Sequence, residues 1–181
     1  RDVTELMERI EGFPRVIPRG LPVNEQWFQE QEWFVTGELV GINCRRSVPA
    51  GYLLRKSAKD DDTNETANRL RFVAYDSNLF KFTRKQKLIA PINLYSQMMT
   101  MLGYDAGFDV VGMCEFKGCD QISDLIANEE PDLRRPQEFD TDGLVIRVND
   151  IRKYVSMGET SHHPKGSVAF KFEDEWVVVR P

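Results

Sequence analysis

Apolar and polar positions along this chain form short blocks whose period changes often. Val3, Leu6, Met7 and Ile10 recur at helical spacing, with Asp2 placed to cap the turn and Gly12 to end it. Pro14, Pro18, Gly20 and Pro22 predict an extended connector, and Asn24 caps a short helix through Trp27 and Phe28. Residues 33–40 are aromatic and β-branched and predict a strand with a single charge, Glu38. Residues 43–68 are polar and irregular and read as a solvated loop, in which Arg45, Arg46, Arg55, Lys56 and Lys59 run into Asp60, Asp61 and Asp62. Residues 70–75 predict a second strand. Residues 91–102 predict the strongest helix, with Pro91 in its first turn, Ile92, Leu94, Met98, Met99 and Leu102 as its apolar positions, and Gly103 as its stop. Further strands are predicted over 108–111, 144–148, 168–172 and 176–179, short helices over 120–127 and 151–157, and a charged surface loop over 129–138. Short strands mixed with helices, without a regular βαβ rhythm, predict an α+β class on antiparallel sheets.

Composition narrows the partners. The 181 residues are 41% hydrophobic and 29% charged, ordinary for a globular domain. A net charge of −5 argues against this piece being the main grip on nucleic acid, which normally needs a basic stripe, but leaves room for a local nucleotide site. The 3 cysteines, Cys44, Cys114 and Cys119, form no Cys-x-x-Cys pair and read as reduced thiols of a cytoplasmic protein. No apolar run approaches the roughly 18 residues of a membrane helix, so no membrane partner is expected. The chain opens on Arg1 rather than methionine, as a fragment or one half of a split protein would.

Three segments place a charge within or at the edge of a strand that otherwise wants burial: 36–40 with Glu38, 142–148 with Asp142 and Arg147, and 168–172 with Lys171. Burying an unpaired charge costs several kcal/mol, so such a strand serves a ligand or a partner charge. Pairing of opposite charges between neighbouring strands is the plainer alternative. The order Gly-Glu, then Asp-Gly-hydrophobic-hydrophobic-hydrophobic-basic, then Lys between two phenylalanines resembles motifs III, IV and V of the covalent nucleotidyltransferases. Other segments are similar to the NAD-dependent DNA ligases in particular: Arg1-Asp2-Val3-Thr4, Asn43-Cys44-Arg45 through Ala50-Gly51 to Leu54-Arg55, Arg71-Phe72-Val73-Ala74-Tyr75, Thr141-Asp142-Gly143 through Val148-Asn149-Asp150, and Gly158-Glu159-Thr160-Ser161 with Pro164.

The resemblance implies a nucleotidyltransferase fold, an ATP-grasp-like ligase core with antiparallel sheets around a nucleotide cleft. It implies that 1–181 is a partial adenylylation domain carrying motifs III to V, without the nucleophile region, OB-fold, zinc finger, helix-hairpin-helix and BRCT regions. NAD and magnesium are the implied cofactors, nicked double-stranded DNA the substrate, and DNA replication and repair the setting. Lys171 suits a cation on the α-phosphate, Glu38 an acceptor for ribose hydroxyls, and Tyr75 a ring for adenine to stack on. Asp142 suits a hard-oxygen contact to magnesium, and Arg45 and Arg55 phosphate clamps. Arg147 stands where the family has lysine, a planar fork in place of a point charge. Cys44 and Arg46 replace a proline and an asparagine, the run to Arg55 is longer than the family's, and His162 and Lys165 stand where it tends to have arginines.

The family's nucleophile motif, Lys-x-Asp-Gly, is missing; Lys59-Asp60-Asp61 continues into Asp62 instead of glycine. A partner bearing that motif is therefore implied. Two readings stay open beside this one: a nucleotide-binding or interaction module without catalysis, and a piece of an ATP-dependent ligase. One expectation is direct. The chain alone forms no acid-stable covalent adduct with AMP when incubated with labelled NAD or ATP, and a labelled band on a denaturing gel would show a nucleophile in an unexpected place.

Overall fold

The computed structural model describes residues 2–15, 34–45, 47–55, 65–77, 94–133, 139, 141, 143–161 and 163–172. In chain order these form α1 (Thr4–Met7), β1 (Val35–Gly41), α2 (Ser47–Leu53), β2 (Leu70–Ser77), α3 (Tyr95–Tyr104), β3 (Asp109–Val110), α4 (Cys119–Leu133), β4 (Gly143–Arg147), α5 (Ile151–Met157) and β5 (Ser167–Lys171). The strands make a three-stranded sheet, β1-β2-β3, and a two-stranded sheet, β4-β5. The β1–β2 and β4–β5 pairs are antiparallel, while the short β2–β3 pair is parallel. The architecture is mixed α+β. The parallel pair departs from a purely antiparallel arrangement because α3 carries the chain back across the sheet before β3 begins.

One face of β2 organises the interior. Leu70, Phe72 and Ala74 alternate onto it, as the two-residue period of a strand requires. Ala74 joins Met98, Met99, Leu102, Ala106, Phe108 and Ile151 in one apolar cluster. Leu70 joins Leu6, Ile10, Tyr52 and Ala67 in another. Phe13 packs on both clusters and meets Phe72 and Phe108 edge-on, with ring centroids 5.5 and 6.1 Å away. Tyr52 fastens α1 by donating its buried hydroxyl to the Leu6 carbonyl at 2.6 Å.

The segment expected to be solvated loop contains α2. Propensity did not announce it, since Pro49 and Gly51 both lie inside it. Pro49 sits in the first turn, where the N–H it lacks has no helical partner, and burial of Pro49 and Tyr52 supplies the tertiary packing that short helices depend on. Gly103 does not stop α3 but lies within it. A Cβ there would meet Val110 Cγ2 at 3.4 Å, an ordinary contact, so β3 passes beside the helix without requiring glycine. The reversal falls at Gly107, whose φ of 76° is left-handed; its N–H reaches the Gly103 carbonyl and Phe108 N–H reaches that of Leu102. Helix α4 extends to Leu133, into the stretch expected to be loop, with Pro131 in its last turn. The predicted helix near 24–28 and strand at 176–179 lie outside the described residues.

Two adjacent side chains join the sheets. The first-turn N–H groups of α3 have no partners inside the helix. Asn149 satisfies two of them, accepting from Tyr95 N–H on its carbonyl (2.7 Å) and from Ser96 N–H on its Oδ1 (2.9 Å). Asp150 then caps α5, accepting from Lys153 N–H at 2.8 Å, and Gly158 closes the same helix at φ 67°. Asn149 is steadied by donating its Nδ2 to Glu115 Oε1 at 2.8 Å. Hydrogen bonds from Ser96 and Asn149 hold the Glu115 carboxyl below its usual range.

The fully buried Leu102 tests this core. Leu102→Ala should cost about 2–5 kcal/mol in chemical denaturation, the range for a buried leucine that leaves a cavity. Val145→Ala, on a side chain 72% exposed, should change stability by less than about 0.5 kcal/mol.

Candidate functional site

Arg147 ends β4, and its guanidinium lies 4.0 Å from the centroid of the Tyr95 ring and 4.1 Å from that of Tyr154. Its Nη2 is 4.0 Å from Asp76 Oδ1, both side chains being largely buried at 16% and 25% exposure. The cation thus belongs to one sheet and its carboxylate to the other. Asp76 is placed by its neighbours: its Oδ1 accepts from Ser77 N–H at 2.8 Å, and Ser77 Oγ donates to the Phe34 carbonyl at 2.8 Å. The Arg147 Nε is buried with no hydrogen-bond partner among the described residues.

Tyr95 connects this cation to Tyr75. Its hydroxyl donates to the Tyr75 carbonyl, while its ring lies against Arg147. Burial pushes the Tyr95 phenol above its ordinary range, against the opposing pull of Arg147. The hydroxyl therefore stays protonated at neutral pH and keeps its donor. The ring of Tyr154 rests on the backbone at Gly166, where an added Cβ would run into it.

The sequence-predicted residues fall into groups. Tyr75 and Arg147 come together through Tyr95. Glu38 is exposed on β1 opposite Val73, and Tyr75, 42% exposed, lies two residues further along β2. Lys171 pairs with Gly143 and Arg147 with Ser167, which puts both cations on one face of the two-stranded sheet, four residues or roughly 13 Å apart along it. Glu38 and Lys171 form no ion pair with each other, and their strands lie in different sheets. Arg55 is half-buried, its guanidinium 5.7 Å from the Tyr52 ring centroid and its Nη2 3.2 Å from Thr66 Oγ1. Arg45 is exposed just before α2, following Asn43, whose left-handed φ of 51° is one that asparagine tolerates. Asp142, Arg46 and His162 lie outside the described residues.

Tyr95, Tyr154 and Asp76 were missed by sequence reasoning. Asp76 carried the signal that picked out Glu38, a charge at the end of an apolar strand. The tyrosines carried none, because each sits in a helix where an aromatic reads as packing. Among the described residues no three His, Cys, Asp or Glu side chains group to hold a metal ion, and no helix is long and apolar enough to cross a membrane.

The glycine before Glu38 has a steric cause. Tyr75 is the extra residue of a bulge, since Thr36 pairs with Asp76 and Gly37 with Ala74. A Cβ at Gly37 would lie 2.5 Å from Phe72 Cζ and 2.6 Å from the Val73 carbonyl oxygen. Gly37→Ala should therefore cost about 1–3 kcal/mol, as overpacking does, measured by thermal or denaturant unfolding.

Comparison with known proteins adds an independent line. A family model described as the NAD-dependent DNA ligase adenylation domain matches residues 35–175. A DNA ligase of Leptospira interrogans is 28% identical over 95% of this chain, which covers 24% of that protein. A DNA ligase of Persephonella marina is 30% identical over 67% of this chain and 14% of its own length, and one of Sulfurihydrogenibium azorense is 36% identical over 42% and 11%. The chain thus spans between a tenth and a quarter of these relatives. The match over residues 35–175 takes in well over half of the chain, so the chain belongs to the NAD-dependent DNA ligase adenylation domain family.

Proposed function

We propose that this chain is a working part of an NAD-dependent DNA ligase with a nucleotidyltransferase, ATP-grasp-like core, binding the adenylate of NAD and supporting its transfer. The observation that carries the reading is the Tyr75–Tyr95–Arg147 connection, which joins the backbone of the strand bearing Tyr75 on one sheet to a fixed cation on the other. In this reading adenine stacks on Tyr75, Glu38 accepts from the ribose hydroxyls, and Lys171 and Arg147 face the α-phosphate, with Arg45 and Arg55 serving nucleotide or DNA phosphates. Phosphoryl transfer needs little covalent help from the protein beyond alignment and neutralisation of charge on the phosphate oxygens.

The reaction proceeds in three displacements at phosphorus. A lysine amine, on a Lys-x-Asp-Gly segment outside this sequence, attacks the α-phosphorus of NAD and expels nicotinamide mononucleotide. A 5′-phosphate oxygen at the nick then attacks the same phosphorus and releases the lysine. Finally the 3′-hydroxyl attacks the 5′-phosphorus, loses its proton and expels AMP. Lys171 and Arg147 act in the first two by offsetting charge as it builds on the oxygens. Magnesium would supply further charge neutralisation. Asp142 is the oxygen donor proposed for it, and no step is routed through the ion. The ligase works in replication and repair, in the cytoplasm.

A second reading is a nucleotide-binding module without catalysis. Mixing the chain with a piece bearing that motif separates the two: adenylylation of the lysine and sealing of a nicked duplex support the ligase reading, and NAD binding without either supports the module. Within an active mixture, Lys171→Met should reduce sealing at least about 100-fold, the loss of a charge-assisted contact that tightens in the transition state. The melting temperature should hardly change, because strand alternation sets the Phe170 and Phe172 rings on the face opposite to Lys171. Near-normal sealing would remove Lys171 from the site.

A further inference from the structure

We infer that Tyr95 and Tyr154 are positioning residues that clamp Arg147 flat for one nucleotide phosphate, and that this makes the site specific for arginine at 147. The inference rests on the nucleotide reading above and goes beyond it by assigning two side chains and a requirement.

The Arg147 Cζ lies over both rings, 4.0 and 4.1 Å from their centroids, so the two rings limit how far the head group can move toward either. Asp76 at Nη2 adds a third restraint. The buried Nε has no hydrogen-bond partner among the described residues, so that nitrogen does not hold the head group, while both rings lie against it. The rings are themselves held. Tyr154 lies on the α-carbon of Gly166, which any side chain would displace. Tyr95 stands at the capped start of α3 and donates its hydroxyl to the carbonyl of Tyr75. Through that bond the strand backbone at Tyr75 and the cation proposed for phosphate share one support. A plain structural ion pair would need neither the double stack nor the bond to Tyr75. Lysine has no plane to stack and concentrates its charge on a hydrated ammonium, so it would leave the slot between the rings poorly filled.

Isothermal titration of the full chain with AMP and with adenosine tests this, because the ratio of the two affinities reports on the phosphate alone. Wild type should bind AMP at least about tenfold more tightly than adenosine, as a charge-assisted phosphate contact provides. Arg147→Lys and Tyr154→Leu should each bring the ratio within about threefold and leave adenosine affinity unchanged. Adding Arg147→Lys to Tyr154→Leu should lower the ratio no further, since the lysine loses only what the rings gave. Tyr95→Phe keeps the stack but removes the bond to Tyr75, and should weaken adenosine and AMP alike. An unchanged ratio in Arg147→Lys, with wild type binding normally, overturns the clamp and leaves the nucleotide reading standing. Equal loss of both ligands in Tyr154→Leu, with a lowered melting temperature, reduces the tyrosine to packing and also overturns it. Failure of wild type to bind either compound overturns both readings.

Discussion

The joint between the two sheets is built on an arginine removed from most of its water. A guanidinium taken out of solvent loses hydration worth several kcal/mol and must recover it from its surroundings. Arg147 recovers it from two ring faces and a carboxylate, and each lies on a different element: Tyr95 on α3, Tyr154 on α5 and Asp76 on β2. The charge can be satisfied only when all three elements are in place. Placement of β4 at the end of β2 and close packing of Tyr154 on Gly166 are both conditions for that burial.

The Asn149–Asp150 pair makes the burial possible. Helix ends leave backbone groups unpaired, and a helix that starts next to a strand must find partners there. Asn149 offers its carbonyl and its side-chain oxygen to α3, and the next residue caps α5. Two residues of one strand end thereby fix the starts of two helices, and those helices carry the two rings that hold Arg147. Ile151, one position later, enters the core beside Met98, Met99 and Leu102, so polar and apolar anchoring fall within a single turn. Glu115 holds Asn149 in its orientation from outside, and its depressed pKa reflects the bonds it accepts from Ser96 and Asn149.

Charges in strands had two explanations at the outset, a ligand or each other, and the structure shows where the second applies. Arg147 has a protein partner, Asp76, across the sheet boundary. Arg71 has another, Asp109, at 3.9 Å on the exposed side, where screening makes the pair weak. Glu38 and Lys171 do not pair with each other, and both are exposed on their strands. An exposed charge keeps its water, so neither needs a partner to sit on its strand.

The sequence by itself determined the elements whose causes are local. Helix α5 runs over the predicted residues because Asp150 caps it and Gly158 ends it, and both signals lie within one turn of its ends. The strands bearing Glu38, Tyr75, Arg147 and Lys171 were legible from their apolar, aromatic and β-branched runs, and the order of their charges pointed to the family before any coordinates did. Tertiary structure decided what depends on distant neighbours. Helix α2 exists through burial of Pro49 and Tyr52, which propensity cannot report. Gly103 lies inside α3, and the chain turns only at Gly107, where the helix end meets the start of β3. The setting of Arg147 was hidden for the same reason: its partners lie 71 residues before it in Asp76, 52 before it in Tyr95 and 7 after it in Tyr154, and only the fold makes them neighbours.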